Sequence, residues 1–422
     1  MAAPPADLVI RPLRPGDDPD AQLDLAERAF GPGSGADRDR RLRSLSRLVA
    51  GGRYLGAFVG GRPAAAAAIQ DMRQWWRGRP VPMAGVSSVT VAPEHRGLGI
   101  GRLLMTALLD EIATRGYPLS ALFPATMPLY RSLGWELAGA RDTVVIPARS
   151  LLRIVPPDAP PHGASPGSRP PVPPAPPELR RAGPGDAEAV IALLGRVHEA
   201  ARDCGPITWD AASAAEWLAD PGLYAYLAED GVLAYRWHHR DLFAERAEAI
   251  SARTVRAFWA QLGSHASIAE NVQARTGPAS AFWWLTQERD ADIARRSRWM
   301  LRVVDAPAAI AARGFPAATS LRVGLHIADG ARPANSGRWQ LTVADGAGTL
   351  EPLGPAGTAR PASTAALPGS PLTLGARGLA ALYAGTPLVT LRQAGLAAGG
   401  TAADDAALDA AFAATPYMLD AF

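Results

Sequence analysis

The sequence predicts an α+β / α/β chain of three units: two consecutive units, each a mixed central sheet flanked by helices, then a smaller α+β unit. Three observations carry this. At 422 residues the chain is longer than one hydrophobic core sustains. The stretch from Pro156 to Glu178 is about half proline, which neither continues a helix nor donates to a ladder, so it reads as an extended linker. Directly after it, ELRRAGPGDAEAVIALLGRVHEAA repeats the strand, Pro-Gly-Asp turn and amphipathic helix of the opening IRPLRPGDDPDAQLDLAERAF. In both copies an aspartate, Asp17 or Asp186, stands where it can cap the helix, and the second unit reads as a duplicate of the first. The expected divisions are 1–152, a linker 153–178, 179–304 and 305–422.

In the first unit, Tyr54 to Val59 and Ala64 to Gln70 read as strands joined by a Gly-Gly-Arg-Pro turn, and Val86 to Val91 as a third. Ile100 to Arg115 has helical periodicity, with Leu103, Leu104, Ala107, Leu108 and Ile112 on the apolar face and Gly116 as the stop. Leu119 to Phe123 is a strand, Met127 to Leu133 a short helix, and Trp135 to Ala138 and Thr143 to Pro147 close the sheet. In the last unit SLRVGLHIAD, RWQLTVAD and GTLEPL read as consecutive antiparallel strands. LGARGLAALYAG, PLVTLRQAGL and DDAALDAAFAA follow as helices.

Composition narrows the function classes. Hydrophobic residues make up 48% and charged residues 20%, a globular balance. The net charge of +3 comes entirely from arginine, with no lysine and no basic stripe, so nucleic-acid binding is not expected. The single cysteine, Cys204, excludes an internal disulfide and a multi-thiolate metal site, and the adjacent His238 and His239 are expected at the surface rather than on a metal. Trp75-Trp76 and Trp283-Trp284 read as half core and half pocket wall. No secretory pattern opens the chain and no apolar run approaches the ~20 residues that span a bilayer, so no membrane partner and a cytoplasmic location are expected.

The segment that carries chemistry is VSSVTVAPEHRGLGIGRLLMTALLDEI. A strand runs through Pro93 into Arg96-Gly97-Leu98-Gly99-Ile100-Gly101 and then into a long helix. Such a loop turns unpaired N–H groups outward at the positive end of a helix dipole, and glycines let a pyrophosphate approach the backbone. Arg96 and Arg102 add charge. A dinucleotide fingerprint fails because the third glycine comes one residue early, and a phosphate-binding G-K-S/T loop fails for want of lysine. What remains is R-x-x-G-x-G between a strand and a helix.

On these residues the segment 86–135 resembles the coenzyme A core of the GNAT superfamily. The run GYPLSALFPATMPLYRSLGW, WMLRVVDAPAAIAARGF, LYAGTPLVTLRQAG and the final DAAFAATPYMLDAF extend the likeness to Eis-like (enhanced intracellular survival) acetyltransferases. The resemblance implies tandem GNAT folds, the second degenerate, plus a sterol-carrier-like C-terminal domain. It implies an acetyl-CoA-dependent N-acetyltransferase without a metal, acting on a primary amine of a small polycation, an aminoglycoside-like compound or a lysine side chain. It also implies a hexamer. Residue by residue, it assigns Val89, Thr90 and Val91 to the pantetheine arm. Arg96 and Gly97, Leu98, Gly99, Ile100, Gly101 and Arg102 fall to the pyrophosphate, and Ala125 and Thr126 to the cofactor again. Tyr130 matches the general acid, and Phe422 the terminal residue whose α-carboxylate is the base.

The acidic residues with which some members hold aminoglycosides are replaced here by Gly31-Pro32 and Ala421, leaving Asp24, Glu27 or Asp420 as substitutes. The second copy lacks R-x-x-G-x-G and reads as scaffold, and the third unit as a platform for Phe422. Cys204 lies outside the first unit, so direct transfer in a ternary complex is expected rather than an acyl-enzyme. The rival reading is a lipid or acyl-CoA binding or sensing protein with a non-catalytic GNAT domain.

Overall fold

The computed structural model describes residues 3–31, 35–154, 177–354 and 371–422, with side chains from residue 38 onward in the second helix. Most of the proline-rich linker therefore lies outside the described residues. The first unit runs β1 (Val9–Pro12), α1 (Pro19–Phe30), α2 (Gly35–Ala50), β2 (Tyr54–Val59), β3 (Arg62–Trp76), β4 (Arg79–Val91), α3 (Ile100–Thr114), β5 (Leu119–Leu122), α4 (Met127–Arg131) and β6 (Glu136–Pro147). The middle unit runs β7 (Arg180–Arg181), α5 (Ala187–Ala201), β8 (Cys204–Thr208), α6 (Ala211–Leu218), β9 (Leu223–Ala228), β10 (Gly231–His238), β11 (Asp241–Ala249), α7 (Ala252–Gly263), β12 (Asn271–Thr276), α8 (Phe282–Leu285) and β13 (Asp292–Val303). Leaving out β8, the two lists match element for element.

One sheet holds both units, in the order β1-β2-β3-β4-β5-β13-β6-β12-β11-β10-β9-β7. Replace each strand by its counterpart and read backwards, and the order is unchanged. The last strands are exchanged: β13 of the middle unit pairs antiparallel with β5 (Met300 opposite Leu122), and β6 of the first pairs antiparallel with β12 (Val144 opposite Ala274). β6 and β13 pair with each other at the centre. The two closing strands expected at Trp135–Ala138 and Thr143–Pro147 are thus one continuous strand, because β13 and β12 offer ladder partners along its whole length. Alanines 64–68 of β3 are fully buried, and these small side chains let helices approach the sheet closely. Leu104, Leu108 and Ile112 of α3 pack on it as the periodicity requires. Leu103 departs from it, at 41% exposed, because it turns toward solvent one residue off the buried stripe.

Neither turn aspartate bonds the following helix through its side chain, although Asp186 does occupy the N-cap position of α5. Asp17 accepts from Arg11 at 2.7 Å and from the Arg14 N–H, and Asp18 takes the N-cap. Asp186 likewise accepts from Arg180 at 2.8 Å and from the Gly183 N–H. In each copy the carboxylate staples the turn to an arginine six residues back, a charge-assisted bond that outcompetes a cap. Trp75 and Trp76 are both buried, so that pair is core rather than pocket wall, whereas Trp284 is 75% exposed.

The third unit comprises α9 (Ala306–Ala312), β14 (Leu321–Ala328), β15 (Gly337–Ala344), β16 (Ala347–Pro352), β17 (Leu372–Gly375), α10 (Ala376–Tyr383), α11 (Leu388–Gln393), β18 (Ala397–Ala398) and α12 (Ala402–Phe412). β14, β15 and β16 form the expected antiparallel run, and β17 adds in parallel to β14. A fully buried ion pair, Arg302 of β13 with both oxygens of Asp329 at 2.7 Å, fastens this unit to the large sheet.

Candidate active site

The β4–β5 pair is short and splayed. The two strands run parallel and pair only from Met83–Leu119 to Gly85–Ala121, after which β4 continues to Val91 paired with β3 but not with β5. A bulge opposite Ala67 and a left-handed Ser88 (φ +53°) bend β4 away at that point. Val89, Thr90 and Val91 therefore lie on an edge that β5 does not cover.

This edge leads into the glycine loop. Gly97 and Gly99 have φ of +80° and +78°, which glycine alone adopts without strain, and nothing lies within 4 Å of where a Gly97 side chain would begin. Arg102 and Leu103 donate to the Gly99 carbonyl, whereas the N–H groups of Gly97 through Gly101 have no acceptor among the described residues. Five amides at the start of a 15-residue helix thus face outward with its dipole behind them. The Arg96 Nε donates to the Val91 carbonyl at 3.3 Å, tying the loop to the strand. Ala125 and Thr126, both exposed, follow β5 across the opening, and the Thr126 hydroxyl makes no capping bond to α4. These donors and this open space suit a pyrophosphate-bearing coenzyme.

Tyr130 on α4 is 5% exposed and sits edge-on to Trp135 at 6.4 Å. Burial pushes its hydroxyl above the usual tyrosine range. Its helix is held by Glu136, a buried carboxylate of β6 that accepts from Arg131 at 2.8 Å, from Arg377 of α10 at 2.6 Å and from the Leu137 N–H. Sequence reasoning missed this clamp, since Arg377 is 241 residues away.

The chain's last ten residues thread between the two large units. Tyr417 donates its N–H to the Cys204 carbonyl and its hydroxyl to Asp203 at 2.8 Å, and the Ala140 N–H donates to the Pro416 carbonyl. Asp420 meets buried Arg246 at 2.5 Å, and Arg141 donates to the Leu419 carbonyl at 3.2 Å. Phe422 ends at the vertex of the β4–β5 splay, edge-on to Phe123 at 6.0 Å and against Gly85. Arg141 lies over the same Phe123 ring at 5.2 Å, its pKa pushed down to about 10 by burial and by neighbouring Arg275 and Arg295. The proposed acid substitutes are engaged elsewhere: Asp24 with Arg28, Glu27 with Arg38 and Asp420 with Arg246.

The counterpart loop of the middle unit differs. Ser251 caps α7 by accepting from the Thr254 N–H, and Asp230 accepts from the Ser251 N–H and the Thr254 hydroxyl, so side chains satisfy the donors that the first unit leaves open. Among the described residues no group of three or more His, Cys, Asp or Glu side chains is arranged to hold a metal. No helix among them is long and apolar enough to cross a membrane.

A splayed parallel strand pair opening onto an amide-lined helix start is the architecture of a GNAT acetyltransferase. The family model described as an acetyltransferase (GNAT) domain matches residues 9–138, and that of a sterol carrier protein domain matches residues 306–419. N-acetyltransferase Eis of Mycobacterium tuberculosis is 30% identical over 310 residues, covering 70% of this chain and 75% of that protein. The structure of a GCN5-related N-acetyltransferase from Kribbella flavida superposes with a TM-score of 0.86 at 43% identity, covering 99% of this chain and 98% of the other. Eis1 from Mycobacterium abscessus, 22% identical, shares the fold with a TM-score of 0.71 over 98% of this chain and all of its own. The chain belongs to the Eis-like GNAT N-acetyltransferases.

Proposed function

We infer that this enzyme transfers the acetyl group of acetyl-CoA to a primary amine by direct attack in a ternary complex. The observation that carries the reading is the continuous path from the uncovered β4 edge to the five free amides of Gly97–Gly101. In this reading the backbone of Val89–Val91 holds the pantetheine arm. Gly97–Arg102 with Arg96 hold the pyrophosphate, and Ala125 and Thr126 flank the arm from the β5 side. When bound, acetyl-CoA supplies the acyl group and the thiolate leaving group.

Tyr130 is the proton donor in this scheme. Its raised pKa keeps the hydroxyl protonated through the neutral range, ready to protonate a departing thiolate. The Phe422 carboxylate is the proton acceptor. An α-carboxyl lies about seven pKa units below an alkyl ammonium, and holding that amine neutral at pH 7 costs roughly 4.6 kcal/mol in water. The attacking amine must therefore be neutralised before it attacks. The Arg141 guanidinium, one ring away from Phe422, favours this because a neighbouring positive charge lowers an ammonium pKa.

The same arginine-rich setting bears on the acceptor. Asp24, Glu27 and Asp420 each already pair with an arginine, which favours a lysine side chain or a small monoamine over a polycation. A cavity of about 180 Å³ beneath α1 and α2, reaching Ser88 and lined by Gln22, Phe30 and Ser44, is the acceptor side in this reading. The third unit acts as the platform that delivers Phe422: Leu341, Leu374, Leu382 and Phe412 already fill its interior. Cytoplasmic location, expected from the sequence, and hexameric assembly, carried over from the resemblance, are checked by fractionation and by light scattering. The test of function is release of free coenzyme A across a panel of monoamines, lysine peptides and polyamines. Turnover with lysine or a monoamine is expected; no turnover with any amine overturns the enzyme reading for this site.

A further inference from the structure

The palindromic sheet gives the middle unit a cleft of its own. β11 and β12 run parallel and pair only from Leu242–Val272 to Ala244–Ala274, just as β4 and β5 pair over three residues before separating. In the opening beyond that vertex lies a cavity of about 500 Å³. Its walls are the end of β11 beyond its pairing with β12, the end of β12, α7 and the chain's C-terminal tail, with Arg77 and Arg202 also on its lining. The start of α7 is already capped by Ser251, so the cavity offers no bank of free amides for a pyrophosphate.

Its polar walls are unbalanced. Three buried atoms facing it lack any partner: Glu248 Oε1, Thr276 Oγ1 and Arg77 Nε. Thr276 is 3% exposed. The acids are engaged: Asp203 accepts from Tyr417 and faces His198 Nδ1 at 2.9 Å, and Glu248 Oε2 accepts from Arg246 at 2.6 Å. The cations lack a carboxylate in contact: Arg77 donates to the Ala413 carbonyl at 3.4 Å, Arg275 feels Glu245 and Asp420 only at longer range, and none of Arg77, Arg202 and Arg275 forms an ion pair within 4 Å among the described residues. Arg275 lies partly buried over the Phe243 ring at 5.1 Å. Guanidinium groups without a carboxylate are built to bind oxyanions, and a bare carboxylate oxygen needs a donor.

We propose that this cleft binds a small oxyanion, a carboxylate or free phosphate, on a molecule that also carries a hydroxyl or ammonium donor. The oxyanion takes Arg202 and Arg275, and the donor takes Glu248 Oε1 and Thr276 Oγ1. The site is independent of the acetyl-transfer reading.

Calorimetry on the full chain tests this with malate and inorganic phosphate as probes and glycerol as the neutral control. At least one anion is expected to bind with a Kd of about 1 mM or tighter, glycerol not at all. Malate binding alone points to a carboxylate ligand, phosphate alone to a free phosphate. Arg202→Asn removes one charge at an exposed position whose φ of +52° asparagine tolerates. Thr276→Val removes an unpartnered hydroxyl while keeping its shape. Each is expected to weaken binding by about tenfold with melting unchanged. The proposal is overturned if neither anion binds below about 10 mM, or if binding is unchanged in both variants, since that heat belongs to another site such as the α3 loop.

Discussion

A methyl group added at Gly85 tests whether the end of the chain is where the reaction takes place. A Cβ there would stand 2.8 and 2.9 Å from Cε2 and Cδ2 of Phe422 and 3.0 Å from Met72 Sδ. Apolar carbons rest at about 3.5–4.0 Å, so the ring must retreat by roughly 0.7–1 Å. The backbone at position 85 is ordinary extended strand, and alanine there gains about 0.5–1 kcal/mol over glycine, offsetting an overpacking cost of about 1–3 kcal/mol. Stability should therefore change by no more than about 2.5 kcal/mol. The rate should change far more, because a misplacement of about 1 Å costs on the order of a hundredfold, or about 2.7 kcal/mol of barrier. Gly85→Ala is expected to melt within a few degrees of the parent and to lose about a hundredfold in kcat for coenzyme A release, with the KM for acetyl-CoA little changed. If the variant folds and keeps kcat within about twofold, Phe422 is a packing residue and its carboxylate takes no part.

Other expectations follow from the same geometry. Tyr130→Phe should lower kcat by about a hundredfold with unchanged coenzyme affinity. In the parent the alkaline limb should fall only above the usual tyrosine range, because a donor is lost as pH rises through a raised pKa; a limb below pH 9 would remove Tyr130 from that role. Arg377→Ala strips Glu136 of one of its two arginines and should reduce kcat more than it raises KM, read in the same assay. Asp329→Asn leaves Arg302 buried without a charge partner and should cost about 3–5 kcal/mol in denaturant titrations. The Arg11 guanidinium beside Asp17 holds that carboxyl down at about 2, so its contribution is present above the unfolded value of about 3.9 and lost as pH falls toward 2. Asp17→Asn should therefore remove about 1–2 kcal/mol at pH 6 and only a small part of that near pH 2, measured by urea unfolding at each pH.

What was legible in the sequence was local. The loop from Arg96 to Gly101 is read within six residues, because left-handed glycines and a helix start need no distant partner. The strands of the third unit showed alternation strong enough to give their order. The aspartate staples were legible in principle, since each copy carries an arginine six residues upstream, yet the helix behind each turn made capping the nearer explanation. Partner choice was not legible. Trp135–Ala138 and Thr143–Pro147 read as strands closing their own unit, and nothing in them or in residues 292–303 says that each segment completes the other unit's half of the sheet. The Glu136–Arg377 clamp and the Arg246–Asp420 pair join segments 241 and 174 positions apart, beyond any pattern a single chain displays.

The exchanged strands also bear on how the protein comes into being. When the ribosome has made β6, the catalytic sheet still ends at β5, with an unpaired edge where β13 belongs. Roughly 150 more residues must be added, which at about 5–20 residues per second leaves that edge bare for about 8–30 s. β6 itself has no permanent neighbour in this interval, since both of its partners, β12 and β13, are made later. Nascent chains are thus exposed to pairing with each other, strand for strand, during a defined window of synthesis. The completed molecule, by contrast, is a topological clasp: neither half can come apart without unzipping a strand of the other.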